Sequence, residues 1–179
     1  MSVLWLCLHF PKLPLEALIP KPSFGDASLR VVIEASRVVT CDDEVEALGV
    51  TTGLKQSTVS GLLSGHPLQL LSRDRKKEHQ THKRLRQWVY SITPTLSLWR
   101  DDCLQLEISR CLLVHGGLEA LLKKIAIELD QRGFSVFAGV GPSRESAWLL
   151  SQFNRASVAS IADQGLSLES QLSSIPLSY

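Results

Sequence analysis

The densest run of residues that could do chemistry is basic. Seven cationic side chains fall between positions 73 and 86: Arg73, Arg75, Lys76, Lys77, Lys83, Arg84 and Arg86. They could neutralise nucleic-acid phosphates, and each such contact would add to the salt dependence of binding. Two acids within the run offset part of its charge, and no aromatic residues alternate with the cations to stack on bases. The run is therefore either a DNA contact or the solvated face of a helix.

The thiols and imidazoles lack the spacing of known local motifs. No two of the four cysteines form a CxxC pair, so neither a zinc ribbon nor a redox pair is indicated. None of the five histidines has HExxH spacing. A reducing compartment would leave the cysteines as small, mostly buried residues.

Three further stretches carry residues that are common in active sites. Gly139-Val140-Gly141 lacks the other residues of a phosphate loop, and it predicts a tight strand-to-helix turn. Ser143 lies in GPSRES rather than in GxSxG, so no hydrolase nucleophile is indicated. Asp101 and Asp102 could be residual metal ligands, but aspartates are also favoured in hairpin turns, which is the interpretation preferred here.

Composition limits the class of protein. The chain has 179 residues, of which 44% are hydrophobic and 21% charged, which is typical of a globular protein and not of a disordered one. A net charge of +1 provides no general attraction for a polyanion. No apolar run approaches the roughly 18 residues of a membrane span. Met1 to Phe10 is apolar but is broken by Pro11, so it predicts a buried strand rather than a signal peptide, and we expect a cytoplasmic protein without a membrane partner.

Hydrophobic periodicity predicts the elements that position these residues. Strands are expected at Leu4–Phe10, Leu29–Ala35, Arg37–Cys41, Leu68–Leu71, Thr95–Trp99, Cys103–Ser109 and Phe134–Val140. Helices are expected near Leu15–Leu18, after a cap at Asp42 or Asp43, at Leu54–Leu63, Arg73–Tyr90 and Leu118–Gln131, and from Pro142 at the N1 position to Phe153. This order predicts an α+β fold of the ferredoxin-like kind, with a mixed sheet and helices on one face.

The order and spacing of several pieces resemble the N-terminal region of Y-family (UmuC-like) DNA polymerases. The pieces are LWLCLHFPKLPLEAL at 4–18, EALGVTTGL at 46–54, LQLEIS with LLVHGGLEALL at 104–122, and FAGVGPSRESAWLL at 137–150. The HGG segment and the late PSRESAWLL helix are most similar to the ImuB-type branch, whose members are catalytically inactive.

The resemblance implies a division of the chain into polymerase subdomains. We expect a palm at 1–25 and 73–162, a small helical fingers-like insert at 26–72, and a linker at 163–179 that leads toward a thumb absent from this sequence. The chain would then be a partial or shortened form that lacks the C-terminal DNA-gripping domain.

The resemblance also shows which catalytic residues to expect. Active members hold two magnesium ions with carboxylates, two on the first strand and two at the central hairpin. Aligned on Glu16 and Glu107, those positions fall on Cys7, His9, Asp102 and Cys103, so one carboxylate of four remains. All four are zinc-ligand types, but we expect ordinary sheet residues and no metal.

The nucleotide-binding positions depart from the family as well. The Tyr and Arg that grip the triphosphate align with Asp43 and Glu46, which reverses the charge of an anion site. The aromatic residue that packs on the sugar aligns with Pro11 or Lys12. These departures predict a polymerase fold without polymerase chemistry and without a resident cofactor.

By the resemblance, such a protein would act in DNA repair and damage-induced (SOS) mutagenesis through protein partners. The implied partners are an error-prone DNA polymerase, a RecA-like protein of the same mutagenesis cassette and the sliding clamp, with DNA contact also open. One alternative is an active magnesium-dependent nucleotidyltransferase that uses Asp101, Asp102, Glu107 or Glu16. Another is a fragment that only binds nucleic acid or a partner. Gln171-Leu172, with Ile175 and Leu177, only loosely matches a clamp-binding peptide, and a tail helix is the preferred interpretation.

Overall fold

The computed structural model describes residues 3–19, 29–98, 103–153 and 158. The strands in this part of the chain are β1 (Trp5–His9), β2 (Leu29–Glu34), β3 (Arg37–Cys41), β4 (Leu68–Ser72), β5 (Leu96–Ser97), β6 (Cys103–Glu107) and β7 (Phe137–Gly141). The helices are α1 (Leu13–Glu16), α2 (Asp43–Ala47), α3 (Gln56–Leu62), α4 (Arg75–Val89), α5 (Leu118–Gln131) and α6 (Arg144–Phe153). The α+β class predicted from the sequence is confirmed.

The larger sheet has the order β5-β6-β1-β7, and every pairing within it is antiparallel. Because side chains alternate along a strand, Leu6 and Leu8 share one face of β1, whereas Cys7 and His9 share the other. Leu6, Leu8 and Cys7 are all fully buried, so both faces of this strand are covered. The strand is therefore a central element of the core.

The smaller sheet has the order β3-β2-β4 and is the mixed one. β2 pairs with β3 in antiparallel fashion and with β4 in parallel. Its core contains Val31, Val45 and Val59, which come from β2, α2 and α3 respectively, and all three are fully buried. The insert predicted to be helical therefore contains a sheet, because Leu29–Cys41 forms a hairpin that α2 and α3 cover.

Two units can be recognised from the contacts. One contains residues 1–11 and 83–179, and the other contains residues 12–82. The second unit extends beyond the predicted insert of 26–72 at both ends. The extension at its start arises because α1 packs against β2 and β3.

Most predicted elements are present, with shifted ends. The helix at 118–131 begins and ends where its apolar periodicity predicts. The first short helix lies at Leu13–Glu16, two residues earlier than expected. β7 begins at Phe137 rather than at 134, and α6 begins at Arg144, so Pro142 precedes the helix instead of occupying its N1 position. Among the described residues, no helix is long and apolar enough to cross a membrane.

Candidate functional site

The large sheet brings three of the four predicted metal-ligand positions onto one face. Cys7 of β1 lies opposite Gln105 of β6 and opposite Gly139 of β7. His9 lies opposite Cys103 and Phe137 in the same ladders. Since residues directly opposite each other project to the same side, Cys7, His9 and Cys103 occupy one face, as the alignment predicts.

Helix α6 covers this face. Cys7 and Cys103 are 0% and 1% exposed and form a cluster with Ala147 of α6, against which Trp5 and Trp148 pack. The hydroxyl of Ser151 donates to the carbonyl of Trp148 at 2.7 Å, and the same oxygen lies 3.4 Å from Cys7 Sγ. Both thiols are therefore packing residues in the described structure.

Two glycines of β7 allow the helix to approach so closely. A Cβ atom on Gly139 would lie 2.2 Å from the backbone oxygen of Ala147, and one on Gly141 would lie 2.3 Å from Ser146 Oγ. The Gly139-Val140-Gly141 segment thus serves strand-to-helix packing. The tight turn predicted at 139–141 is wrong, because all three residues belong to β7, and the close contact with α6 explains why glycine is used.

Sequence reasoning missed Gln105, which lies across the ladder from Cys7. It is completely buried, and its Nε2 donates to the backbone oxygen of Arg144 at 3.0 Å. This bond ties β6 to the first residue of α6. The sequence feature that could have identified Gln105 is its spacing, because it lies two residues after Cys103 and therefore on the same face of the strand.

Of the remaining metal-ligand candidates, Glu107 lies on the same face of β6 as Cys103, opposite Trp5. Asp101 and Asp102 lie outside the described residues, so the predicted turn and the surviving carboxylate are not tested. Glu107 is nearly buried, and its carboxylate accepts a hydrogen bond from Ser109 N at 3.0 Å. In the part of the chain that the structure describes, no three His, Cys, Asp or Glu side chains come together as a metal site.

The positions aligned with the triphosphate-binding residues lie at the start of α2 in the second unit. Asp43 and Glu46 are both exposed, and Glu44 lies beside them in the same acidic first turn. Lys12 Nζ forms an ion pair with Asp43 and keeps only 12% of its side chain exposed. Among the described residues at this turn, one cation stands against three acids, and this negative balance opposes binding of a phosphate chain.

Asp42 has a structural role that the sequence did not predict. It occupies the N-cap position of α2 but makes no side-chain cap bond to the helix. Its carboxylate instead accepts two bonds from the Arg30 guanidinium, at 2.9 and 2.7 Å, and one from Arg30 N at 2.9 Å. The Arg30 side chain is 9% exposed, so this bidentate pair fastens α2 to β2.

The acidic turn also affects a neighbouring thiol. Burial raises the pKa of Cys41 to about 11, and the negative charge of Glu46 adds to this effect. Cys41 is therefore a neutral, unreactive thiol at physiological pH.

Comparison with known proteins identifies the family of this chain. The family model described as "IMS: impB/mucB/samB family" matches residues 21–152. The chain belongs to the impB/mucB/samB family. No curated protein matches the chain significantly over its sequence.

Solved structures of Y-family DNA polymerases share its fold. The insertion ternary complex of Dbh DNA polymerase matches with a TM-score of 0.66 at 17% identity, covering 83% of this chain and 45% of that one. The post-insertion binary complex of Dbh gives 0.68 at 17% identity, with the same coverage of both chains. DinB from Sulfolobus solfataricus gives 0.63 at 17% identity, again covering 83% and 45%. This impB/mucB/samB chain thus spans less than half the length of these polymerases.

The basic run of this family member divides into paired and exposed cations. Arg73 donates to Glu78 at 2.7 Å and to Glu34 at 3.1 Å, and Arg75 donates to Glu34 at 2.8 Å. The hydrogen bonds from Arg75 and Arg73 lower the pKa of Glu34 to about 2. Arg75 is paired but still exposed, the other exposed cations on α4 are Lys76, Lys77, Lys83 and Arg84, and Arg86 is half-buried.

Proposed function

We propose that this chain is a Y-family polymerase homologue that performs no nucleotidyl transfer and acts as a scaffold in error-prone DNA-damage bypass. The observation that carries the proposal is the burial of Cys7 and Cys103 beneath α6, at positions where the family resemblance implies metal-binding carboxylates. Sulfur atoms packed against Ala147 do not supply the hard, accessible oxygen ligands that magnesium prefers.

The acidic start of α2 supports the same proposal independently. A nucleoside triphosphate carries several negative charges and needs cations or backbone donors around it. Asp43 and Glu46 are exposed acids at the positions aligned with the gripping residues, and Lys12 is already paired with Asp43. Loss of two separate parts of the machinery is harder to reconcile with activity than loss of one.

The finer assignment is to the ImuB-type branch and to damage-induced mutagenesis. Its support is the sequence resemblance at 104–122 and 137–150, together with the two altered sites. We propose the partners that this branch implies: an error-prone DNA polymerase, a RecA-like protein of the same cassette and the sliding clamp. The loosely matching clamp peptide at 171–177 lies outside the described residues.

A calorimetric titration of the purified chain with magnesium and each deoxynucleoside triphosphate tests the proposal. We expect no magnesium-dependent nucleotide binding at millimolar ligand while far-ultraviolet circular dichroism shows a folded chain, and no primer extension. Magnesium-dependent binding at micromolar nucleotide, or primer extension abolished by Asp102→Ala, would overturn the proposal and establish the active nucleotidyltransferase alternative.

A second candidate function is DNA contact through α4. The exposed cations Lys83 and Arg84 are neighbours in the part of α4 that belongs to the first unit. Charge reversal at these two positions should remove a steeply salt-dependent DNA affinity, whereas reversal of Arg110 and Lys124 should not. If both variants lost the same DNA affinity, the loss would be due to net charge alone, and a DNA contact on this helix would be excluded.

A further inference from the structure

An open pocket of about 520 Å³ lies in the second unit, between the β2–β3 turn and the beginning of α3. The polar residues that line it are Ser36, Arg37, Lys55, Gln56, Ser57 and Ser60. Its volume falls within the range of small-ligand sites, roughly 300–1,000 Å³. Apolar side chains contribute little to the lining, so a hydrated polar ligand suits it better than an apolar one.

Backbone hydrogen bonds hold the walls of this pocket together. Gln56 N donates to Ser36 O at 2.9 Å, Gly53 N donates to Val38 O at 2.8 Å, and Val38 N donates to Leu54 O at 2.9 Å. The turn and the segment before α3 are thus fixed to each other. Walls that are already fixed lower the ordering cost of binding a ligand.

The β2–β3 turn is made by two residues with left-handed backbone conformations. Ala35 has a φ of 49° and Ser36 a φ of 60°. Glycine, asparagine or aspartate usually occupies such positions in two-residue hairpins. This chain has alanine and serine there, and the turn brings Ser36 to the pocket wall.

The charge of the pocket is positive and uncompensated. Arg37 Nη1 donates to Gly53 O at 2.8 Å, which fixes the guanidinium and leaves other N–H groups available. No acidic residue lines the pocket, and within the described residues neither Arg37 nor Lys55 forms an ion pair. The nearest acid in sequence, Glu34, is already held by two arginines.

We propose that this pocket binds a phosphate group, supplied either by a nucleic-acid strand or by a small phosphorylated molecule. A guanidinium can donate two parallel bonds to a phosphate, and an ammonium adds a point charge. The serine hydroxyls and the Gln56 amide supply neutral donors around the same space. The inference depends on the pocket alone, and it is independent of whether the chain transfers nucleotides.

Amide chemical shifts of the whole chain give the direct test. The probes are inorganic phosphate, a deoxynucleoside monophosphate, a twelve-nucleotide oligothymidylate and an oligoglutamate. We expect the phosphate-bearing probes to shift the amides of Ser36, Arg37 and residues 55–60. If the oligonucleotide binds at least tenfold more tightly than the monophosphate, a strand is the source, whereas equal affinities indicate a small molecule.

Matched variants separate the pocket from general charge. Ser60→Asp should weaken binding at least tenfold, whereas Ser60→Asn should leave it within twofold. Lys55→Gln should weaken binding and lower the magnitude of the salt slope by about one. The control that removes equal charge elsewhere is Lys124→Gln, which should have no effect.

Three results would overturn the proposal. One is the absence of shifts in the pocket at millimolar concentrations of every phosphate probe, with the chain folded. The second is equal binding of oligoglutamate, which would assign the pocket to acidic peptides instead. The third is equal weakening by Lys124→Gln and Lys55→Gln, which would leave only non-specific attraction.

Discussion

Cys7 in the large sheet and Asp43 at the start of α2 occupy two positions where the family resemblance implies catalytic machinery. Cys7 is fully buried against α6, whereas the Asp43 side chain is 88% exposed and pairs with Lys12. One position has become part of the apolar core, and the other has become a charged surface. The comparison indicates that restoring the family residue should lower the free energy of unfolding strongly at Cys7 and only slightly at Asp43.

The two units also differ in the interactions that hold them. In the described part of the first unit, α6 packs closely on β1 and β7. The contact is so close that Gly139 and Gly141 of β7 leave no room for a Cβ atom. The second unit adds a network of ion pairs around Arg30, Glu34 and Arg73 to a valine-rich core. All four tryptophans, at positions 5, 88, 99 and 148, belong to the first unit, so their emission monitors that unit alone.

The largest effect is expected from Cys7→Asp, which places a carboxylate under α6. A buried charge without a partner typically costs about 3 to 5 kcal/mol, so the urea midpoint of tryptophan emission should fall sharply at pH 7. Burial raises the pKa of the new carboxyl above its unfolded value of roughly 3.9. The charge-dependent cost is therefore absent below that pH, grows as pH rises above it and levels off above the folded-state pKa.

Cys7→Ala is the control for Cys7→Asp, because it removes the thiol without adding charge. It should cost about 1 kcal/mol with no pH dependence. If the aspartate variant were as stable as the alanine variant, and if magnesium stabilised it further, the site would be an open metal site and the comparison would fail.

The second-largest loss of stability is expected from Gly139→Ala. The new Cβ would lie 2.2 Å from the Ala147 carbonyl oxygen and 2.5 Å from Ser151 N, so α6 must move away from the sheet. Overpacking of this kind costs about 3 kcal/mol, again measured by urea unfolding with tryptophan emission.

Gly61→Ala gives a matched control for Gly139→Ala in the second unit. Gly61 lies within α3 and has open space around its Cβ position, so alanine should stabilise this helix by about 0.5 to 1 kcal/mol. Because the second unit contains no tryptophan, far-ultraviolet circular dichroism is the appropriate measurement. A neutral Gly139→Ala would mean that α6 is not closely packed on β7.

A small effect is expected from the double variant Asp43→Tyr with Glu46→Arg, which restores the family types at an exposed surface. Losing the Lys12 pair costs about 0.2 to 1 kcal/mol, since surface ion pairs contribute little. Circular dichroism should therefore show nearly unchanged unfolding. A loss of more than about 2 kcal/mol would contradict the contrast with Cys7, and Glu44→Gln controls for removal of an acid from the same turn.

The smallest effect is expected from Glu34→Gln, and it should depend on pH. The two arginines lower the pKa of Glu34 from 4.5 to about 2. A carboxyl with a lowered pKa adds stability above its unfolded pKa and loses that stability as pH falls through the folded one. The difference in urea midpoint between the native chain and the variant should therefore be present at pH 7, shrink below about 4.5 and vanish near 2. A difference in urea midpoint that stays constant between pH 7 and pH 2 would show that the ion pairs of Glu34 do not contribute to stability.

Local periodicity was sufficient for most of the elements. The apolar stripe at 118–131 predicts α5 to the residue, because a helix that buries one face needs that spacing whatever it packs on. Element ends were predicted less well. β7 starts three residues late, since Phe134 contacts Phe10 in an edge-to-face pair instead of entering the strand.

The residue types at the candidate site were determined by the sequence alone. Thiols at positions 7 and 103 and acids at 43 and 46 differ from the carboxylates and the Tyr and Arg that the resemblance implies there, and residue identity does not depend on how the chain folds. The placement of Cys7, His9 and Cys103 on one face follows from the resemblance together with the period of two along a strand.

Only the tertiary structure decided how those residues are used. Three features depend on contacts between residues 39 to 144 positions apart: α6 covers Cys7, Gln105 joins β6 to α6, and Glu34 pairs with Arg73 and Arg75. The pocket of about 520 Å³ likewise needs the β2–β3 turn and the start of α3 to meet. Local spacing carries no information about such contacts, because the packing of whole elements determines them. For this reason the basic run is uniform in the sequence, whereas in the fold some of its cations form ion pairs and others do not.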